Sequence, residues 1–435
     1  RNMETIDSIP ISKIRRASKL VGTGAKVGVN YLKYYGSKLV KTEEDAREQL
    51  NKDNAEDIYN SLKQLKGSAL KVAQMLSMEK SIMPAAYVEK FSLSQFSVPP
   101  LSPPLVIKTF KKYFGKTPNE VFDEFNSEST NAASIGQVHK AKKDGQELAV
   151  KIQYPGVSQS ISSDLKLVKP VALRILNIST KDSTKYFQEV EDKLMEETNY
   201  LLELESSKEI SEVCKNIPNL LFPKYYSEFS SEMIITMDWM TGKHLSEYTT
   251  TPKSGKKIGQ ALWDFYMYQM HVLKKVHADP HPGNFLVSEM EELIALDFGC
   301  MKIIPEDFHV PYFELIKKDT LANKELFEAK MYELEILKET DTKEEVEFFS
   351  QMFHELLSWF AKPFHEETFD FSNEVFFNKI GELGEQYTKN TELRKMDANR
   401  GSKHFIYVNR TFFGLYSLMN MLQASDIKIN NYKNL

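Results

Sequence analysis

Two stretches, HADPHPGN at His277–Asn284 and LDFG at Leu296–Gly299, decide the fold expected for this chain of 435 residues. The first follows a helical pattern and contains Asp279, with four residues between it and the closing asparagine. The apolar run Phe285–Val287 and the run before Asp297 are typical of two short strands joined by a turn. The order is therefore an aspartate, an asparagine, a strand hairpin and a second aspartate followed by Phe-Gly.

These residue types suit phosphoryl transfer. An aspartate at this place orients or deprotonates the attacking hydroxyl or water, so Asp279 is the candidate catalytic residue. The side-chain oxygens of Asn284 and Asp297 are hard donors of the kind that Mg²⁺ prefers, so both are candidate metal ligands. The spacing matches the catalytic loop and the metal-binding aspartate of protein kinases. A lone Asp-Phe-Gly would be weak support, whereas the two motifs at this separation are specific.

The same match requires a lysine on an upstream strand and a glutamate on the helix that follows. Lys151 closes the apolar run Leu148–Lys151 on a predicted strand and is the candidate phosphate-contacting lysine; a surface-facing strand lysine is the alternative. A helix is predicted over Thr184–Ile210, with Val190, Leu194, Leu201 and Leu204 on one apolar face. Glu203 lies on this helix and is the candidate partner of Lys151. From the residues alone, three other glutamates compete for that role: Glu196, Glu197 and Glu205.

The loop before Lys151 is the candidate nucleotide cover. Protein kinases have a glycine-rich loop here, but this chain has alanine at the tight positions, and each added Cβ restricts φ and stiffens the loop. Met237 to Met240 are the expected hinge near the adenine. ATP or ADP and Mg²⁺ are the expected cofactors. The candidate nucleotide-binding residues are Ala132, Ala133, Ser134, Ile135, Gly136, Val138, Lys151, Met237 and Met240.

Composition narrows the class of protein. The formal net charge is 56 − 61 = −5, with 41% hydrophobic and 27% charged residues, which favours a soluble globular protein over a disordered, collagen-like or coiled-coil chain. Two cysteines exclude a disulfide framework and a cysteine-based zinc module. Neither a transmembrane span nor a secretory signal peptide is expected. The mildly acidic balance gives no indication of nucleic-acid binding.

The N-terminal part has its own pattern. Between Ser8 and Thr42 there is no acidic residue, and basic residues alternate with apolar ones, which indicates a segment lying on an anionic membrane surface; a solvated basic helix packed on the protein is the alternative. From Glu43 to about Phe91 the pattern is helical. Lys71 and Gln74 lie one turn apart, nearly opposite an apolar stripe. The stripe consists of Leu62, Leu65, Ala69, Val72 and Leu76.

Four stretches carry a family resemblance. They are the alanine-rich loop that ends in Ala133–His139, the lysine strand and turn at Val150–Val157, the catalytic loop with Ala278 where protein kinases have arginine, and Lys71-Val72-Ala73-Gln74. Together they resemble the motifs of the UbiB/AarF family of atypical protein-kinase-like proteins, the aarF-domain-containing kinases, whose N-terminal motif is Lys-x-Gly-Gln. The resemblance covers roughly Ile58 to the C-terminus.

The resemblance implies an α+β, bilobal protein-kinase-like fold with an N-terminal helical extension covering the active site. In the family, the Lys-x-Gly-Gln helices engage a Glu-x-Asp pair, which here reads Glu197-Thr198-Asn199. Lys71, Gln74 and Glu197 are therefore the implied gating residues, and Glu203 falls at the position of the lysine-pairing glutamate. Ala73 and Asn199 depart from the family pattern; they either loosen the cover or mark a subfamily.

The expected organisation is a basic segment over 1–45, the helical extension over 46–125, a kinase-like small lobe over 126–240 and a helical large lobe over 241–435. A tight turn is predicted at Asp144-Gly145. The strands predicted for the small lobe are Ser134–Ala141, Gln146–Gln153, Pro223–Phe229 and Met233–Met237. The C-terminal residues that predict a core helix of the large lobe are Phe412, Leu415, Leu418 and Leu422.

The hypothesis is an ATP-binding, Mg²⁺-dependent enzyme, either an ATPase or a phosphotransferase for a small-molecule or lipid substrate. By resemblance it would support isoprenoid quinone or other lipid metabolism, with an anionic membrane surface and lipid-biosynthesis enzymes as partners. The expected location is cytoplasmic and peripheral on the inner membrane if bacterial, mitochondrial or plastid if eukaryotic. The alternatives are a catalytically weak nucleotide-gated scaffold and a conventional protein or small-metabolite kinase.

Overall fold

The computed structural model describes Lys26, Asn30, Lys33 and residues 42–63, 100–132, 135–176, 180–278, 280–299, 301–389 and 403–432. The chain divides into two compact units. The first consists of Arg1–Glu205 and Lys224–Trp239, and the second of Ser206–Pro223 and Met240–Leu435. Most of the basic N-terminal segment, and the stretch with Lys71, Ala73 and Gln74, lie outside the described residues. No helix in the described ranges is long and apolar enough to cross a membrane.

The first unit combines helices with one antiparallel sheet of strand order β1-β3-β4-β6, in which β2 also pairs with β3. Its strands are β1 Glu124–Phe125, β2 Asn131–Ala132, β3 Gly136–Lys143, β4 Gln146–Gln153 and β6 Ile234–Asp238, and β5 belongs to the second unit. Its helices are α1 Glu43–Lys63, α2 Pro103–Phe114, α3 Pro118–Val121, α4 Val157–Leu176, α5 Thr180–Glu197 and the start of α6 Tyr200–Val213.

The hairpin of β3 and β4 follows from its turn. Asp144 and Gly145 both have positive φ, 49° and 80°, which matches the right-handed twist of the flanking strands and confirms the predicted turn. The bounds of β4 are those predicted, and β3 begins at Gly136 rather than at Ser134. The register opposes Val138 to Lys151. The hairpin therefore fixes the lysine strand against the strand that leaves the nucleotide loop.

The single helix predicted over Thr184–Ile210 is wrong, because the chain forms two helices, α5 and α6, with a break at Thr198-Asn199. The Thr198 carbonyl accepts a hydrogen bond from the Gln153 side chain at 3.0 Å. The Asn199 Oδ1 accepts one from the Leu202 N–H at 3.1 Å, as an N-cap does. As a result Leu201, predicted to lie on the apolar face, is 49% exposed.

The strand predicted over Pro223–Phe229 is also wrong. The structure has β5 at Leu220–Leu221 and a 3₁₀ turn at Ser227–Phe229, and between them Tyr225 makes a single bridge to Met237. Side-chain hydrogen bonds stabilise the turn, since the Ser230 hydroxyl donates to the Tyr226 carbonyl at 2.6 Å. Local hydroxyl bonds of this kind compete with strand pairing.

A buried polar chain joins β3 to two neighbouring segments. Gln137 Oε1 accepts a hydrogen bond from the Leu101 N–H at 3.0 Å, so its amide nitrogen faces His139 Nε2 at 2.8 Å. His139 Nε2 must then be the acceptor, and Nδ1–H donates to the Asn126 carbonyl at 2.9 Å. Gln137 and His139 are fully buried. This network requires a neutral imidazole with its proton on Nδ1.

The second unit is mainly helical around a large aromatic core. Its helices are the end of α6, α7 Pro252–Met267, α8 Glu306–Leu315, α9 Lys318–Leu321, α10 Lys324–Glu333, α11 Lys343–Phe360, α12 Glu374–Lys389 and α13 Lys403–Met421. Phe412, Leu415, Leu418 and Leu422 are buried, which confirms the predicted C-terminal core helix. A π-helical turn, Tyr268–Leu273, extends α7.

Short strands in the second unit flank the predicted catalytic loop. The strands of this unit are β5, β7 Lys243–His244, β8 Lys275–His277, β9 Phe285–Val287, β10 Leu293–Ala295, β11 Met301–Ile303, β12 Thr368–Phe369 and β13 Ile427–Lys428. One sheet has the order β5-β10-β9-β7, with β5 and β10 parallel. β8 pairs with β11, and β12 with β13. The predicted strand pair around the turn after Val287 is present as β9 and β10.

The burial of His139 predicts an acid-sensitive fold. Burial lowers the pKa of His139 to about 4, although its carbonyl partners favour the charged form. An unfolded histidine has its ordinary pKa of about 6.5, so between these values the unfolded chain binds the extra proton. This stabilisation is complete above pH ~6.5 and is lost as the pH falls to about 4.

We therefore expect the unfolding free energy, measured by urea denaturation at several pH values, to fall more steeply with acid in the native chain than in His139→Gln. The difference in slope should reach up to about 1.4 kcal/mol per pH unit, the value for one proton. His244→Gln, at a partly exposed histidine of β7, is the control and should keep the native slope. Equal slopes for native chain and His139→Gln would contradict this account.

Candidate active site

Lys151 and Glu203 form an ion pair in the first unit. Lys151 Nζ lies 3.0 Å from Glu203 Oε1 and 3.4 Å from Oε2. The two side chains are 18% and 8% exposed. The same nitrogen lies 4.9 Å from the centre of the Tyr200 ring, within the range of a cation–π contact. The lysine is thus held on two sides by groups of one helix turn.

The break between α5 and α6 positions this glutamate. Because α6 begins at Tyr200, Glu203 lies in its first turn, where a negative charge interacts favourably with the helix dipole. The Glu203 N–H donates to the Asn199 carbonyl at 3.1 Å. Asn199 therefore caps the helix that carries Glu203, a role that asparagine and aspartate fill about equally well. This gives Asn199, a departure from the family pattern, a structural role.

Among the four glutamates that compete from sequence, Glu203 makes the ion pair with Lys151 given above. Glu196 and Glu197 lie at the end of α5 and are half-buried, and Glu205 is exposed on α6. The structure therefore brings Glu203 to the lysine. Glu197, the expected gating residue, is the last residue of α5, whereas Lys71 and Gln74 lie outside the described residues.

The predicted nucleotide loop is described at both of its ends. Ala132 lies in β2, Ile135 is buried, and Val138 is paired with Lys151; Ala133 and Ser134 lie outside the described residues. Gly136 begins β3, and a Cβ placed on it would lie 2.7 Å from the Ile152 carbonyl oxygen and 2.8 Å from the Tyr200 hydroxyl. Any larger residue at 136 would push on Tyr200, the ring that contacts Lys151.

The expected hinge coincides with a boundary between the two units. Met237 lies in β6 opposite Ala149 of β4, and β6 ends at Asp238. Trp239 belongs to the first unit and Met240 to the second. The Trp239 N–H donates to the Glu147 carbonyl at 3.0 Å, which extends the pairing with β4 by one residue.

In the second unit the candidate metal ligands lie at one end of the β9–β10 hairpin. Phe285 of β9 opposes Ala295 of β10. Beyond this pair the Leu296 N–H donates to the Asn284 carbonyl at 3.0 Å, so Asn284 and Asp297 leave the same end of the hairpin. Asp297 Oδ1 accepts the Gly299 N–H at 3.0 Å, which fixes the carboxylate within its own turn.

The donor set at this hairpin end fits Mg²⁺. A carboxylate and an amide supply hard oxygen atoms, and Mg²⁺ is usually bound by one or two protein groups together with water and phosphate. Among the described residues no group of three His, Cys, Asp or Glu side chains is placed to hold a metal ion.

The predicted catalytic loop, His277–Asn284, is described except at Asp279. Ala278 and Pro280 on either side of it are buried. Pro282–Asn284 forms a 3₁₀ turn, and the Gly283 N–H donates to His281 Nδ1 at 3.0 Å. The His281 side chain therefore fixes the loop backbone at Gly283, immediately before Asn284.

Tyr200 was not identified from the sequence, although it lies against both Lys151 and Gly136. An aromatic residue three positions before Glu203 shares its helix face, which is the signal that could have found it. Gln137 and His139 were quoted within the loop motif without a structural role. Residues two apart on a strand face the same side of the sheet, so a polar pair at 137 and 139 on the predicted strand is the signal that could have indicated a buried network.

Comparison with known proteins identifies the family. The family model of the ABC1 atypical kinase-like domain matches residues 93–331. An uncharacterised aarF domain-containing protein kinase of Arabidopsis thaliana, named as chloroplastic, is 29% identical over 286 residues, 64% of this chain and 40% of its own. AarF domain-containing protein kinase 1 of Xenopus laevis is 28% identical over 270 residues, 60% of this chain and 52% of its own.

The solved structures agree on the fold. The complex of Rv3197 with erythromycin from Mycobacterium tuberculosis superposes with a TM-score of 0.59 and 22% identity, over 90% of this chain and 97% of that one. The similarity confirms the predicted α+β kinase-like fold. The chain spans between about a third and three fifths of the length of the curated relatives it matches. Since the family's domain model covers more than half of the chain, the protein belongs to the UbiB/AarF family of atypical kinase-like proteins.

Proposed function

We propose that the protein is an Mg²⁺-dependent, ATP-binding enzyme that hydrolyses ATP or transfers its terminal phosphoryl group to a small or lipid-like molecule. We place its action at an anionic membrane surface, in support of isoprenoid quinone or other lipid metabolism. ATP, ADP and Mg²⁺ are its proposed cofactors. Lipid-biosynthesis enzymes are its proposed partners.

The ion pair of Lys151 and Glu203 is the observation that carries the proposal. Removing two charges from water costs free energy that their attraction recovers only in good geometry, so a pair this well shielded is a poor device for stability alone. Its value lies in holding the ammonium group at one place on the sheet. A lysine fixed by a helix glutamate is the arrangement with which kinases contact the α- and β-phosphates.

Asn284 and Asp297 would hold the metal ion. When bound, Mg²⁺ neutralises phosphate charge and assists the departure of the terminal phosphoryl group. The hairpin fixes the backbone of Asn284, and the Gly299 N–H orients the carboxylate of Asp297. These contacts fix the backbone from which the Asn284 side chain extends and the carboxylate of Asp297 before the ion arrives, which lowers the cost of ordering the site.

The remaining roles rest on the sequence. Asp279 orients the hydroxyl or water that attacks the phosphoryl group. The alanine-rich segment Ala132–Gly136 covers the nucleotide, with Met237 to Met240 beside the adenine. Lys71, Gln74 and Glu197 gate the site, so a large peptide is excluded and a small or lipid-like acceptor is favoured. The basic segment over 1–45 contacts the membrane.

A catalytically weak, nucleotide-gated scaffold is the second candidate. It would use the Lys151–Glu203 ion pair to bind nucleotide and would change conformation without turning over ATP. It is disfavoured because the chain keeps the lysine, both aspartates and the asparagine, whereas loss of one of these commonly accompanies loss of activity. A conventional protein or small-metabolite kinase is disfavoured because the Lys-x-x-Gln motif and alanine-rich loop are present.

Mg²⁺-dependent ATP turnover with and without liposomes containing anionic lipid separates these candidates. We expect turnover to rise with the liposomes and to fall about 10²-fold or more in Asp297→Asn, since the mutant amide cannot balance the charge of the ion. Asp307→Asn, an exposed aspartate in the first turn of α8, is the control and should match the native chain. Nucleotide binding without turnover in either condition would favour the scaffold instead.

A double-mutant cycle measures how strongly Lys151 and Glu203 stabilise each other in the folded protein. We expect Lys151→Met and Glu203→Gln to show a coupling free energy of about 2–4 kcal/mol in urea denaturation, because either single change leaves a shielded charge unpaired. Lys140 and Glu147, 3.1 Å apart on the same sheet but 43% and 53% exposed, form the control pair. Their coupling should be about 0.2–1 kcal/mol. Similar coupling for both pairs would contradict a special role for Lys151.

A further inference from the structure

The residues on either side of position 279 rest against one helix, α13. The Thr411 hydroxyl donates to the Tyr407 carbonyl at 2.7 Å, and its oxygen lies 3.5 Å from the Ala278 carbonyl oxygen, at the outer limit of a polar contact. Gly414, three residues on, faces Pro280. Residues three apart share a helix face, so Thr411 and Gly414 present one surface to both neighbours of Asp279.

The contact at Gly414 leaves no room for a side chain. A Cβ placed there would lie 2.9 Å from Cδ and 3.1 Å from Cγ of Pro280, and 3.1 Å from its carbonyl oxygen. A proline ring has no flexible end that could swing aside, since its φ is fixed by the ring. A methyl group at 414 must therefore move the backbone at Pro280.

The helix that supports the loop is itself fixed by close packing. A Cβ on Gly259 of α7 would lie 3.6 Å from Met419 Cε of α13 and 2.5 Å from the Cβ of Ala424, which follows the helix; one on Gly255 would meet the carbonyl oxygen of Leu422, the next residue after α13. From the other side, a Cβ on Gly384 of α12 would lie 2.9 Å from the Phe413 ring. Because packed interiors yield little to added volume, α13 is a rigid support.

The loop is also held at its start, from α7. Gln269 lies in the π-helical turn that extends this helix and is fully buried. Its Oε1 accepts the His277 N–H at 2.9 Å. The loop is therefore held by a hydrogen bond from α7 at His277 and by contacts with α13 at Ala278 and Pro280.

We propose that α13 is a positioning element for the reaction, in which Thr411 and Gly414 set the place of the backbone at Ala278 and Pro280, the chain neighbours of Asp279. They touch neither substrate nor nucleotide and act through Ala278 and Pro280. The inference rests on the proposed function, because the reaction that is positioned is phosphoryl transfer from ATP. The structural part of the inference is that position 414 holds a glycine because Pro280 occupies the space that a side chain would need.

Gly414→Ala in the full chain is the first test. We expect the turnover at saturating MgATP to fall about 10- to 100-fold, as a displacement of about 1 Å at a reacting group does, with the KM for ATP changed less than about threefold. Gly381→Ala is the matched control, since Gly381 is an exposed glycine of α12 with no atom within 4 Å of an added Cβ. Its turnover should equal that of the native chain. Equal turnover for Gly414→Ala and Gly381→Ala would overturn the inference.

Thr411 supplies a second variant that does not add volume. Thr411→Val keeps the shape and places a methyl group against the Ala278 carbonyl oxygen, and we expect turnover to fall about threefold, because that oxygen loses its polar neighbour at 3.5 Å. Thr411→Ser should restore most of the rate. If Gly414→Ala does not fold, this pair decides, and a valine variant with native turnover would overturn the inference.

Hydrogen exchange separates failure of the inference from failure of the proposed function. We expect the backbone amides of His281, Gly283 and Asn284 to exchange about tenfold faster in Gly414→Ala, with those of α11 unchanged. This readout needs no activity, so a native chain without ATP turnover would reject the proposed function while the loop measurement still tests the support by α13. Unchanged loop exchange, or a uniform increase across the second unit, would overturn the inference.

Discussion

The contact between Lys151 and Glu203 is the interaction on which the first unit is organised. It needs a strand that presents the lysine at a fixed register, and the hairpin of β3 and β4 supplies this. It also needs a helix that begins just before the glutamate. Gln153, at the end of the lysine strand, donates to the Thr198 carbonyl and helps to fix that beginning. Strand β4 therefore carries Lys151 and also helps to fix the start of α6, the helix that carries Glu203.

The parts of the fold that depend on neighbouring residues could be predicted from the sequence. The Asp144-Gly145 turn requires positive φ at two adjacent positions, and few residue pairs allow it, so strand β4 was located to the residue. The hairpin around the candidate metal ligands followed from its short apolar runs. The buried C-terminal helix followed from its apolar spacing.

The parts of the fold that depend on contacts between distant residues could not be predicted from the sequence. The apolar spacing of Val190, Leu194, Leu201 and Leu204 continues through Thr198-Asn199, so periodicity predicted one helix where a side chain from β4 supports two. The buried chain from Leu101 through Gln137 to His139 joins segments 36 residues apart. The choice of Glu203 among four glutamates came from the family resemblance, because spacing alone did not distinguish them.

The chain visits its two units in an interleaved order. Ser206–Pro223 leaves the first unit, supplies β5 to the second, and is followed by Lys224–Trp239, which returns to the first. β5 pairs with β10, which lies about 70 residues further along and is the strand that precedes Asp297. No single cut in the polypeptide can therefore separate the units intact: a fragment starting at Met240 would keep the catalytic-loop sequence but expose an unpaired edge of the sheet that positions it. Recombination that exchanged one unit between relatives would need three matched crossover points, one at each boundary between the units, which favours inheritance of both units together.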